Sequence, residues 1–156
     1  MASVENGRMT VEMDEEFVVF LIGMRINRPW KVHKWLPVFR AMPRMLRELS
    51  EHPELGLLGY RFHPPSLVVQ YWRSYEDLEA YARSREHEHL PAWRAFNQRV
   101  EASSGDVGIW HETYRVRPGD FEAIYVSMPP YGLGKVGRRV PVGRESDAAA
   151  DRLRST

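Results

Sequence analysis

The chain has 156 residues, 43% of them hydrophobic and 28% charged, with a formal net charge of +1; these are the proportions of one globular domain, so neither disorder nor a fibrous repeat is indicated. Near-neutral charge argues against a dedicated nucleic-acid or anionic-membrane surface, and the absence of cysteine excludes disulfide scaffolds, thiolate zinc sites and cysteine nucleophiles. The longest apolar run, Phe17 to Ile22, is too short to cross a bilayer and follows no secretory leader, so the expectation is a cytoplasmic protein with no membrane and no nucleic-acid partner.

Residues 1–16 are polar and lack apolar periodicity, which predicts a mobile N-terminal arm. Phe17 to Ile26 (FVVFLIGMRI) predicts a strand with both faces apolar, and such a strand needs cover on both sides. Leu36, Phe39, Met42, Leu46 and Leu49 then recur at helical spacing. Pro37 suits a first turn, whereas Pro43 predicts a kink or a break into two short helices. Leu57 to His63 and Leu67 to Arg73 form a predicted hairpin around Pro64-Pro65-Ser66.

Ser74-x-x-Asp77 is a capping signature opening a helix whose apolar face carries Leu78, Tyr81 and Ala82. Leu90, Trp93, Phe96, Asn97 and Val100 mark a further helical segment, with Pro91 in its first turn. Val107 to Val116 and Phe121 to Met128 predict a second strand pair around Arg117-Pro118-Gly119-Asp120. Residues 135–156 have little apolar content and predict an extension or tail.

The predicted order is β-α-β-β-α-β with one added strand: an α+β, ferredoxin-like domain over 17–134. Helices cover one face of such a sheet. A second copy would cover the other, so the same pattern predicts a homodimeric α/β barrel.

Three passages carry a family resemblance: Trp35-Leu36-Pro37-Val38 with Met45-Leu46-Arg47-Glu48-Leu49; Tyr71-Trp72-Arg73-Ser74-Tyr75-Glu76-Asp77-Leu78; and His111-Glu112-Thr113-Tyr114 followed by Tyr125-Val126-Ser127-Met128-Pro129-Pro130-Tyr131-Gly132-Leu133-Gly134. Together they resemble a monooxygenase-like family typified by a member of fungal fumagillin biosynthesis, similar in turn to the antibiotic-biosynthesis-monooxygenase superfamily of dimeric α/β barrels. The resemblance implies a small homodimeric oxygenase or tailoring enzyme acting on an aromatic or polyketide-like small molecule within each subunit, with no cofactor required. The fold also hosts haem enzymes, dehydratases and non-catalytic small-molecule binders, which remain as alternatives.

His89 and His111 are the candidate base or ligand positions. His111 shares a strand face with Val107 and Ile109; Glu112 shares the other with Trp110 and Tyr114. A His with a shifted pKa would abstract a substrate proton, and a satisfied structural polar group is the alternative. The resemblance to haem-degrading relatives aligns Asn27, Tyr81 and His89 with their Asn, Trp and axial His. His89, with His87 as the competing position, is thus the ligand if haem binds; otherwise 85–89 is a solvated charged turn. Arg25, Asn27, Trp72, Tyr81 and Trp110 are the candidate substrate-binding residues. Arg25 is an isolated charge in an apolar strand that needs a carboxylate such as Glu112 or Glu122, solvent or a ligand. His87, Glu88 and His89 do not converge on a helix, so no metal is expected. Gly132-x-Gly134-x-x-Gly137 opens no amphipathic helix, which leaves dinucleotide binding unsupported.

Overall fold

The computed structural model of the protein describes residues 3–83 and 91–155. In chain order the elements are β1 (Glu5–Glu12), β2 (Phe17–Ile26), α1 (Val32–Ser50), β3 (Leu57–His63), β4 (Leu67–Trp72), α2 (Tyr75–Arg83), α3 (Pro91–Ala102), β5 (Val107–Val116), β6 (Tyr125–Met128), β7 (Arg138–Pro141) and α4 (Ala149–Ser155). Short 3₁₀ turns lie at Pro53–Leu55, Gly132–Lys135 and Arg144–Ser146.

The main sheet runs β3-β4-β2-β5, antiparallel throughout. With α1 after β2 and α2–α3 after β4, this is the ferredoxin-like arrangement. The alternation of β2 explains its two environments. Val18, Phe20, Ile22, Met24 and Ile26 meet the helices, packing with Val38, Met42, Met45, Leu46 and Leu49 of α1. Phe17 and Val19 point the other way and join Val11, Tyr71, Val116, Tyr125, Leu133 and Val136.

That second cluster corrects the expectation for both ends of the chain. Residues 5–12 are not a free arm but the middle strand of a second sheet, β6-β1-β7. The polar side chains of β1 hid it, because a strand recruited by backbone pairing and two adjacent buried positions (Thr10 and Val11) needs no continuous apolar face. The described residues of the expected C-terminal tail, 135–155, are equally engaged. β7 pairs with β1, and Arg152, 5% exposed, bonds Glu122 at 2.7 Å and the carbonyls of Ser146 and Asp147 at 3.1 and 2.7 Å. β6 likewise leaves the turn at 117–120 to pair with β1 instead of β5. The main sheet is therefore partly covered on its helix-free side by the chain's own residues.

α1 runs unbroken through Pro37 and Pro43, contrary to the expected kink or break, and begins five residues before Pro37. Each interior proline costs about 3 kcal/mol. Burial of Val38, Ala41, Met42, Met45, Leu46 and Leu49, at roughly 1.5–3 kcal/mol per large side chain, outweighs it. Ser74 caps α2 as expected, its Oγ accepting the Asp77 N–H at 3.1 Å, while the Asp77 carboxylate takes Arg73 Nε at 2.8 Å. The Glu48 carboxylate accepts the Ala92 N–H at 2.9 Å and ties α1 to the start of α3. No described helix is long and apolar enough to cross a membrane.

Candidate functional site

A cavity of about 400 Å³ lies between the helix-facing side of the main sheet and the α2–α3 pair. Register builds its floor: Phe20 of β2 stands opposite Gln70 of β4 and Thr113 of β5, and Ile22 stands opposite His111. Period-2 alternation puts Ile109, His111 and Thr113 on this one face. Leu78, Tyr81 and Ala82 of α2, Phe96, Asn97 and Val100 of α3 and Met45 of α1 form the walls. The lining is chiefly apolar with a few converging polar groups, the usual character of a small-molecule site.

Tyr75, Glu79 and Arg83 also line the cavity, the last two paired with each other at 2.8 Å, and three further polar groups have a defined chemistry. The His111 ring lies 5.4 Å from the Phe20 ring at a tilt of 36°, on an exposed stretch of the edge strand β5, so its nitrogens are accessible. Gln70 is 2% exposed and its Oε1 accepts Trp72 Nε1 at 2.8 Å, which leaves its NH₂ group as a donor at the floor. Tyr81 is 8% exposed and packs 5.3 Å from the Trp72 ring. Burial drives its phenol pKa far upward and the Glu48 charge adds to that, so Tyr81 stays protonated at neutral pH and is not a base.

The sequence-predicted residues divide sharply. His111 and Tyr81 line the cavity. Trp72 does not: it is fully buried behind Tyr81 and Gln70 as part of the core. Trp110 lies on the opposite face of β5, 42% exposed, with its indole over Gly23, where a Cβ would come within 2.5 Å of the ring. Asn27 donates to the Gly105 carbonyl at 3.0 Å and ties the end of β2 to the loop before β5. Arg25 is exposed at the edge of a different groove, and its expected partners are engaged elsewhere: Glu112 accepts from the Tyr114 hydroxyl at 2.5 Å and Glu122 pairs with Arg152. His89 and His87 lie outside the described residues. Among the described residues no three His, Asp or Glu side chains gather as a metal site.

Gln70, Tyr75, Glu79, Arg83, Asn97 and Thr113 were the polar lining groups not expected from sequence. The signal for Gln70 and Asn97 was present in the pattern. Gln70 interrupts the apolar face Val68-Gln70-Trp72, and Asn97 falls on the apolar stripe of α3 beside Phe96 and Val100. A polar residue on an apolar face is more informative than an aromatic on a strand.

A family model described as "Monooxygenase af470-like" matches residues 17–133. The monooxygenase af470 of Aspergillus fumigatus is 27% identical over 160 aligned positions that cover 86% of this chain, and the chain spans 56% of that relative's length. Among solved structures, a conserved protein of unknown function from Bacteroides thetaiotaomicron, described as a possible oxidoreductase, is similar at 15% identity and TM-score 0.41, covering 67% of this chain and 100% of that one. A NIPSNAP family protein from Agrobacterium tumefaciens is similar at 20% identity and TM-score 0.37, covering 78% of this chain and 96% of that one.

Proposed function

The chain belongs to the monooxygenase af470-like family, and from that premise we propose that it is a homodimeric, monooxygenase-type oxidoreductase for a flat aromatic or polyketide-like molecule held in the cavity between sheet and helices. The observation that carries the reading is His111 at the floor of a largely apolar cavity, with the buried Gln70 and Tyr81 lining it beside His111. Phe20, Ile22 and Phe96 sandwich a planar ring, and the Gln70 NH₂ and Tyr81 OH donate to its oxygens. His111 takes a proton from the activated carbon, and the resulting carbanion reduces O₂. One CH₂ group and one O₂ give one carbonyl and one water, so the substrate itself supplies the electrons.

What the helix-free face leaves uncovered supports the dimer. The chain's own second sheet closes over Phe17 and Val19. Trp110 and Tyr114 nonetheless remain 42% and 50% exposed, beside the half-buried Leu21 and Val69 on the same face. A second copy laid on this patch would bury it.

The test is oxygen uptake by the purified full chain with a panel of naphthols and anthrones, alongside its absorption spectrum with and without added haem. Substrate-dependent uptake by colourless protein, lost in His111→Ala, supports the reading. A stoichiometric Soret band abolished in His89→Ala replaces it with haem chemistry. Ligand binding without uptake replaces it with a non-catalytic binder.

A further inference from the structure

The net charge of +1 conceals a strong segregation. Residues 17–47 hold seven Lys or Arg (Arg25, Arg28, Lys31, Lys34, Arg40, Arg44, Arg47) and no Asp or Glu. Arg28 and Lys31 are answered across the fold by Asp106, at 3.1 and 3.0 Å. Arg25, Arg40, Arg44 and Arg47 are exposed and make no ion pair among the described residues. Leu36, Arg40, Arg44 and Arg47 fall on one side of α1 by their spacing of four, four and three.

At the N-terminal end of this basic stripe the surface turns apolar. Trp30 is 75% exposed and Val32 46%. Behind them an open groove of about 640 Å³ is walled by Ile26, Trp35, Leu36, Phe39 and Pro65, with Arg25 at its edge. The Pro29 carbonyl accepts Trp35 Nε1 at 3.0 Å, so the loop presenting Trp30 is fastened to the groove wall. An indole at the tip of a loop, an apolar groove and a row of unanswered cations on one surface match a bilayer interface: the ring sits at headgroup depth and the guanidinium groups meet lipid phosphates.

We propose that the α1 surface from Trp30 to Arg47 docks the protein on an anionic lipid membrane. A protein or small-molecule partner would have to complement both the apolar tip and a cationic row spanning residues 40–47 of the helix, about 10 Å along its axis. An anionic bilayer does so without any specific partner chemistry. This surface is separate from the His111 cavity, so it stands whether or not the chain is an oxygenase.

Vesicles of phosphatidylcholine, with and without phosphatidylserine, are mixed with the full chain at low and high salt and read by co-sedimentation and Trp emission. The chain is expected to sediment with the anionic vesicles only, with binding weakened by salt. R40Q/R44Q/R47Q lowers partitioning about fivefold per cation removed, and Trp30→Ser reduces the blue shift of emission. R117Q/R154Q, which removes two exposed cations elsewhere, binds as the wild type does. No sedimentation at low salt, equal binding to neutral vesicles, or an unaltered R40Q/R44Q/R47Q variant overturns the proposal. A fall in native mass for Trp30→Ser with unchanged vesicle binding also overturns it, by assigning the patch to a contact between copies. If the triple variant does not fold, Trp30→Ser alone decides, since its side chain is too exposed to be needed for the core.

Discussion

Gln70 and Trp72 allow the core and the site to be separated experimentally. Both are buried, at 2% and 0% exposure, and joined by one hydrogen bond of 2.8 Å, yet only Gln70 reaches the cavity. Gln70→Leu keeps the volume but strands the Trp72 Nε1–H, which costs about 1–3 kcal/mol. Trp72→Phe strands the Gln70 oxygen and leaves a void, about 2–4 kcal/mol together. The double variant has neither orphaned group, so its cost falls below the sum of the singles by about 1–2 kcal/mol. Thermal melts read this directly, at about 2–4 °C per kcal/mol for a domain of this size. Binding of a naphthol probe should weaken about tenfold, the worth of a lost hydrogen bond of about 1.4 kcal/mol, in both variants that carry Gln70→Leu and hold within about twofold in Trp72→Phe. Additive melts, or a probe affinity that follows Trp72 instead of Gln70, would refute the reasoning.

His111→Asn should lower turnover by about 10²–10⁴-fold, the usual weight of a general base, while the melting temperature stays near wild type because the residue is exposed on β5; circular dichroism melts and oxygen uptake on one preparation check both. Tyr81→Phe removes a donor from a site where burial keeps the phenol protonated, so probe affinity should fall with no change in the shape of the pH–rate profile around neutrality. The Lys31 hydrogen bond and the Lys31, Arg28 and Lys34 charges hold the Asp106 carboxyl below its ordinary range. A lowered folded pKa stabilises above the unfolded value and is lost as pH falls through the folded one. Asp106→Asn should therefore melt lower than wild type at neutral pH, with the gap closing in acid. Gly56 has φ +90° and its missing Cβ would meet the Asp77 carboxylate at 2.5 Å. Gly56→Ala should accordingly cost at least about 1–2 kcal/mol in a urea melt.

The parts of the fold built on local periodicity were legible. The β2 alternation, the Ser74 cap and the order of the βαββαβ elements all follow from neighbours a few residues apart. The second sheet was not, since β1, β6 and β7 are united only by long-range backbone pairing and their side chains are mostly exposed. α1 defied its two prolines because tertiary burial exceeds their local cost. At the site, the face shared by Ile109 and His111 was readable from alternation, but which face the helices would cover was not. That choice separates His111 from Trp110. Arg25 and Asn27 were misplaced for a related reason, since they sit at the end of β2, beyond the reach of the cavity floor. Net charge was the least informative quantity, because it averages away the acid-free stretch from 17 to 47.

The central claim is that small-molecule chemistry occurs on the helix-facing side of the main sheet. Methyl-resolved NMR during titration with a naphthol tests it most directly. Shifts are expected at Ile22, Met45, Val100 and Ile109 that saturate together, with little change at Leu21 and Val69. Shifts confined to Leu21 and Val69, with Ile22 and Ile109 unmoved, would put the ligand on the opposite face and contradict the account.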